Sequence, residues 1–146
     1  MMIPEEHILL DASAQSKRSL LTEMVGLFEA MDPDAVLELI MARERLGSTG
    51  IGYGVAIPHS RMPDLARPVL AFARHQTGVD FESHDNQKVH LVLMLLVPDD
   101  DSKQHLELLA YLAKKLKRAE FRQSLKDAQE TSDIVALFKQ DVPLES

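Results

Sequence analysis

Apolar residues recur at helical spacing early in the chain: Leu20, Leu21, Met24, Leu27 and Phe28 share one face of a segment running to about Ala30. Ser13 stands ahead of it as the expected N-cap, with a hydroxyl that can accept from a free first-turn amide. A second helix opens at Asp32-Pro33-Asp34, which puts an acceptor at the cap and Pro at the first helical position, where no N–H is needed. Gly47 is its expected stop, in a left-handed conformation. Arg43 therefore belongs to the last turn of that helix.

After Gly47 the pattern changes. The run to Ser60 reads Gly-Ser-Thr-Gly-Ile-Gly-Tyr-Gly-Val-Ala-Ile-Pro-His-Ser, with four of the chain's six glycines inside eight residues. Such spacing frees the backbone for tight turns and for close approach by a ligand or another strand. Val55-Ala56-Ile57 reads as a short strand stopped by Pro58, and Val69 to His75 and Lys88 to Val97 as two more. Leu91 to Val97 is apolar on both faces, which predicts a central strand. Asp101 or Ser102 is the expected cap of a helix to about Arg118, with shorter helices over Ala119–Asp127 and Ser132–Gln140. The order helix, helix, strands, helices predicts an α/β fold, or α+β sandwich, with helices over a mixed sheet. A length of 146 residues fits one domain over 1–146.

Charge sharpens this picture in one place. The formal charge is -7, from 16 Lys+Arg and 23 Asp+Glu, which disfavours nucleic acid as a partner. Residues 41–78 run the other way, with Arg43, Arg45, Arg61, Arg67 and Arg74 against only Glu44 and Asp64. An island of arginines fits a site that grips an anion with planar forks, and equally fits five unrelated surface residues. The absence of Cys removes disulfides, thiol nucleophiles and zinc–thiolate sites. No signal peptide is visible, and the longest apolar run, Leu91 to Val97, is far short of the about 20 residues a membrane span needs. The expectation is a cytoplasmic protein without membrane insertion.

Six histidines, His7, His59, His75, His84, His90 and His105, titrate nearest neutrality. His7, His75, His84 and His90 read as solvated or structural. His59 follows Ile57-Pro58 at the expected end of a buried strand, the kind of place where open α/β sheets bind and react. His105 shares a helix face with Leu108, Leu109, Leu112 and Leu116 and lies in the first turn, where free N–H groups favour an anion. Either histidine can also be structural. No cofactor motif appears, and no carboxylate or third histidine is spaced to complete a metal site. Two histidines and arginine fit phosphoryl transfer, in which a neutral imidazole nitrogen attacks phosphorus and cations neutralise the equatorial oxygens.

The block Arg43-Glu44-Arg45-Leu46-Gly47-Ser48-Thr49-Gly50-Ile51-Gly52-Tyr53-Gly54-Val55-Ala56-Ile57-Pro58-His59 resembles the enzyme IIA domain of the mannitol/fructose class of the bacterial phosphoenolpyruvate-dependent phosphotransferase system. The likeness continues through Val79-Asp80-Phe81, Val89 to Pro98 and Lys103-Gln104-His105-Leu106, covering about residues 5–140. It implies a mixed, mostly parallel sheet with helices on both sides. It also implies that His59 is phosphorylated through Nε2, that His105 is a second active-site histidine donating to the phosphoryl group, and that Arg43 stabilises it. Arg45 and Arg61 remain alternative or assisting cations. A histidine phosphocarrier protein is the implied donor. A freestanding chain resembles the nitrogen-regulatory branch, which acts on regulatory targets; transfer to a sugar-specific IIB domain and a purely interacting protein are the alternatives. Two departures stand out: Ser60 replaces a common Gly, and Asp85-Asn86 replaces a common Asp-Gly turn, which Asn tolerates through positive φ.

Overall fold

Strand β6 (Val89–Pro98) lies at the centre of a six-stranded sheet in the computed structural model, which describes residues 3–100 and 103–140. Its apolar run feeds two cores. Leu91, Leu93, Leu95 and Val97 face one side of the sheet, and Val92, Met94 and Leu96 the other. Burying each such side chain contributes about 1.5–3 kcal/mol, so a polar residue on either face would be penalised.

The first side is covered by α3 (Lys103–Leu116), α4 (Ala119–Asp127) and α5 (Thr131–Lys139), through Leu112, Leu116, Phe121, Leu125, Ile134 and Phe138. The second is covered by α1 (Lys17–Val25) and α2 (Pro33–Leu46), through Leu20, Leu21, Met24, Val36 and Ile40. Helices therefore flank the sheet on both sides, as expected. None of the described helices is long and apolar enough to cross a membrane.

Along one edge β6 pairs antiparallel with β5 (Val69–Val79), which pairs in parallel with β1 (Ile8–Leu9). Along the other edge lie β3 (Val55–Ala56) and then β4 (His59–Met62), both parallel to β6, with β2 (Gly50–Gly52) antiparallel to β3. Three of these five pairings are parallel, although the β5–β6 pairing has the longest register.

Several local expectations need correction. Ser16, not Ser13, caps α1, because Ser19 at the third helical position completes a reciprocal capping box with it. The helix also ends at Val25, and Leu27 and Phe28 pack from the turn that follows. Gly47 ends α2 with φ 155° and ψ 147°, which is not the compact left-handed conformation. Its carbonyl instead accepts from Arg43 Nη1 at 2.9 Å. Pro58 interrupts the β3 ladder without ending it, since its carbonyl accepts from the Leu95 amide at 2.9 Å and pairing resumes at His59. His59 thus begins a strand rather than following the end of one. The expected cap at Asp101 or Ser102 lies outside the described residues.

Candidate functional site

The last turn of α2 and the glycine-rich segment after it build one wall of a cavity of about 340 Å³. Arg43, Ser48, Thr49 and His59 are its polar lining, while Ile51 and Ile57, with Leu106 and Ala113 from α3, are among its apolar residues. Two residues distant from each other in sequence, Arg43 and His59, are brought together as the sequence suggested. The means is register: His59 lies beside Leu95 near the carboxyl end of β6.

The segment leading to His59 is tied at each step. Ser48 Oγ donates to the Phe81 carbonyl at 2.5 Å and accepts from the Gly50 amide at 3.0 Å. Thr49 gives both its amide, at 3.2 Å, and its hydroxyl to the Glu44 carboxylate. Gly50 has no room for a side chain: a Cβ there would lie 2.0 Å from Ser83 Oγ and 3.0 Å from Ser83 Cβ. Gly50→Ala should therefore destabilise the fold by about 1–3 kcal/mol, read as a lower urea midpoint. A midpoint equal to the parent's would contradict this packing.

The ring of His59 is oriented by its own backbone. Nδ1 lies 2.9 Å from the Ile57 carbonyl. A carbonyl only accepts, so Nδ1 carries the proton and the neutral ring keeps its lone pair on Nε2. Burial pushes the His59 pKa below its ordinary 6.5; the bond to Ile57 opposes this, Arg43 adds to it and Glu44 opposes it. The ring is accordingly neutral and nucleophilic near pH 7. Beside it, Arg43 uses Nη1 on Gly47, and its remaining N–H groups have no protein hydrogen-bond partner among the described residues. A cation with free donors beside a neutral imidazole can receive and stabilise an anionic, electrophilic group.

His105 is placed differently. It lies in the first turn of α3 with its side chain 14% exposed, and Nδ1 is 3.6 Å from Asp100 Oδ1. That buried nitrogen has no hydrogen-bond partner among the described residues. His105 does not line the cavity described above, whereas its neighbour Leu106, 71% exposed, does. Arg45 and Arg61 are exposed and outside that lining. His7, His75 and His90 bond to backbone carbonyls of Leu70, Ala14 and His75, and His84 is exposed.

Spacing and charge alone did not single out Glu44. Its side chain is only 2% exposed, and its Oε1 lies 2.8 Å from Lys17 Nζ. The available signal was an acid beside Arg43 at a helix end, with hydroxyl residues a few positions on. Nothing local in the sequence indicates that Lys17 reaches it from α1.

The chain is similar to several known proteins. A nitrogen regulatory protein of Bradyrhizobium diazoefficiens is 37% identical over 142 residues, 93% of this chain and 93% of that protein. The crystal structure of nitrogen regulatory protein IIA-Ntr from Neisseria meningitidis superposes with a TM-score of 0.88 at 37% identity, covering 93% of this chain and 95% of that one. A fructose-specific EIIABC component of Bacillus subtilis is 35% identical over 95% of this chain, which spans only 22% of that relative. Residues 1–141 match the family described as "Phosphoenolpyruvate-dependent sugar phosphotransferase system, EIIA 2". The chain belongs to the EIIA 2 family of the phosphoenolpyruvate-dependent phosphotransferase system.

Proposed function

We propose that the chain is a phosphohistidine carrier that takes its phosphoryl group on Nε2 of His59 and serves a regulatory branch of the system. The observation that carries this reading is the bond from Nδ1 of His59 to the Ile57 carbonyl, which leaves Nε2 as the lone-pair nitrogen beside Arg43. In the transfer, Nε2 forms a bond to phosphorus as the bond from phosphorus to the donor's histidine breaks. The donor ring, protonated on its other nitrogen while it carries phosphate, leaves as neutral imidazole, and the His59 proton stays on Nδ1, donated to the Ile57 carbonyl. Arg43 neutralises charge on the phosphoryl oxygens during the passage.

His105 is the second donor in this reading. Its buried nitrogen, without a hydrogen-bond partner among the described residues, and its place in the first turn of α3 support the role. His105→Ala should slow uptake by about a hundredfold, the usual effect of losing one such donor, while shifting the urea midpoint little. Loss of folding with an unchanged rate in the remaining folded protein would assign His105 to structure instead.

The donor is a histidine phosphocarrier protein, and the acceptor is a regulatory target controlled by phosphorylation state. The nitrogen regulatory relatives, matched nearly end to end, support the regulatory branch. A second reading, onward transfer to a IIB domain, is favoured by the fructose-specific relative. Incubation with phosphoenolpyruvate, enzyme I, the phosphocarrier and a fructose-type IIB domain separates them. Phosphate retained on this chain is expected; efficient chase to IIB would favour sugar transport, and no uptake would overturn the carrier reading.

A further inference from the structure

The hydrogen bonds behind the cavity wall form one connected path, and it begins outside the site. Lys17, in the first turn of α1, does not line the cavity, yet its ammonium lies 2.8 Å from Glu44 Oε1. Glu44 accepts from both the amide and the hydroxyl of Thr49. The Thr49 carbonyl accepts from the Ile57 amide at 3.0 Å, and the Ile57 carbonyl accepts from His59 Nδ1 at 2.9 Å. Four links thus join the first helix to the ring of the reactive histidine.

We propose that Glu44 and Lys17 are positioning residues for His59: through Thr49 and Ile57 they fix the carbonyl that decides which ring nitrogen keeps the proton. A carboxylate suits this place because it only accepts, and so can take an amide, a hydroxyl and an ammonium together. A carboxamide of the same shape would turn an N–H against one of those donors. Lys17 pairs with the Glu44 carboxylate in a place where a lone charge is not tolerated. The other carboxylate near Lys17, on Glu82, is 3.7 Å away and 79% exposed, so screening leaves Glu44 the dominant partner. Ser48 holds the same loop independently through the Phe81 carbonyl. Loosening the Thr49 tether therefore shifts the loop without releasing it.

The test uses the full chain with ¹⁵N-labelled histidine. The tautomer of His59 is read by long-range ¹H–¹⁵N correlation in the unphosphorylated protein, and steady-state uptake is measured from the phosphorylated phosphocarrier. Glu44→Gln should give a mixture of both His59 tautomers and a kcat lower by about tenfold to a hundredfold, with KM for the donor unchanged. Lys17→Met should do the same, and Lys17→Arg should recover the parent tautomer relative to Lys17→Met. If either single variant fails to fold, the Lys17→Met/Glu44→Gln double variant, which leaves no lone buried charge, supplies the readout. Folded variants that keep only the Nδ1–H tautomer and the parent kcat would overturn the proposal. The kinetic arm rests on His59 carrying phosphate, whereas the tautomer arm does not. A parent protein that takes up no phosphate would sink the carrier reading and leave the positioning question to the tautomer.

Discussion

His59→Ala should take up no phosphate from the phosphorylated phosphocarrier, while the far-UV spectrum and the urea midpoint stay close to those of the parent. The loss is complete because the covalent intermediate has no other place to form. His7, His75 and His90 are bonded to backbone carbonyls, and neither they nor His84 and His105 line the cavity that holds Arg43. Removing the nucleophile removes the pathway and leaves only direct hydrolysis of the donor. Folding should survive, since His59 is half-buried and, among the described residues, its ring bonds only to the carbonyl two residues before it. Phosphate still incorporated by His59→Ala at the parent's rate would show that another residue is the acceptor.

Arg43→Met should lower uptake by about a hundredfold to a thousandfold, as for loss of one preorganised donor to a developing anion. It should also move a second observable in a direction fixed by electrostatics. Arg43 helps hold the His59 pKa below 6.5, so its removal should raise that pKa. Burial, the largest cause of the depression, remains in the variant and opposes the rise. Uptake compared above the measured ring pKa of both proteins separates loss of the cation from protonation of the nucleophile. Titrating the His59 ring by NMR checks this sign. Arg43→Lys should fall between the two proteins, since it keeps a charge but cannot hold Gly47 and a phosphoryl oxygen with one planar fork. A His59 pKa that falls in Arg43→Met would contradict the electrostatic account.

Much of the fold was legible in the sequence because its strongest signals are local or periodic. The apolar run Leu91 to Val97 identified the central strand, since only a strand buried on both faces lacks polar alternation. Asp32-Pro33 marked the start of α2, and Asn86 adopts the positive φ of 59° that its turn demanded. What escaped had no period to show. β1 has two residues and β4 four, and both exist because β5 and β6 offer unpaired edges to them. The choice of Ser16 over Ser13 depended on Ser19 bonding back, a reciprocal contact that one serine alone cannot reveal.

For the site, residue types and a long family block pointed to Arg43 and His59, and the fold puts both on one cavity. The relation that orients them was not legible. Lys17 and Glu44 are separated by most of two helices and the turn between them, and their pairing follows only from the packing of α1 against α2. Buried carboxylates are rare and need partners, so Glu44 in a predicted helix end was a cue without an address.

The central claim is that Nε2 of His59 carries the phosphoryl group. It is tested most directly by phosphorylating ¹⁵N-histidine-labelled protein with phosphoenolpyruvate, enzyme I and the phosphocarrier, then locating the ³¹P–¹⁵N coupling by NMR. The account predicts one acid-labile, base-stable phosphate per chain, coupled to Nε2 of His59, with the proton still on Nδ1. A phosphate coupled to Nδ1, or found on any other residue, would contradict it.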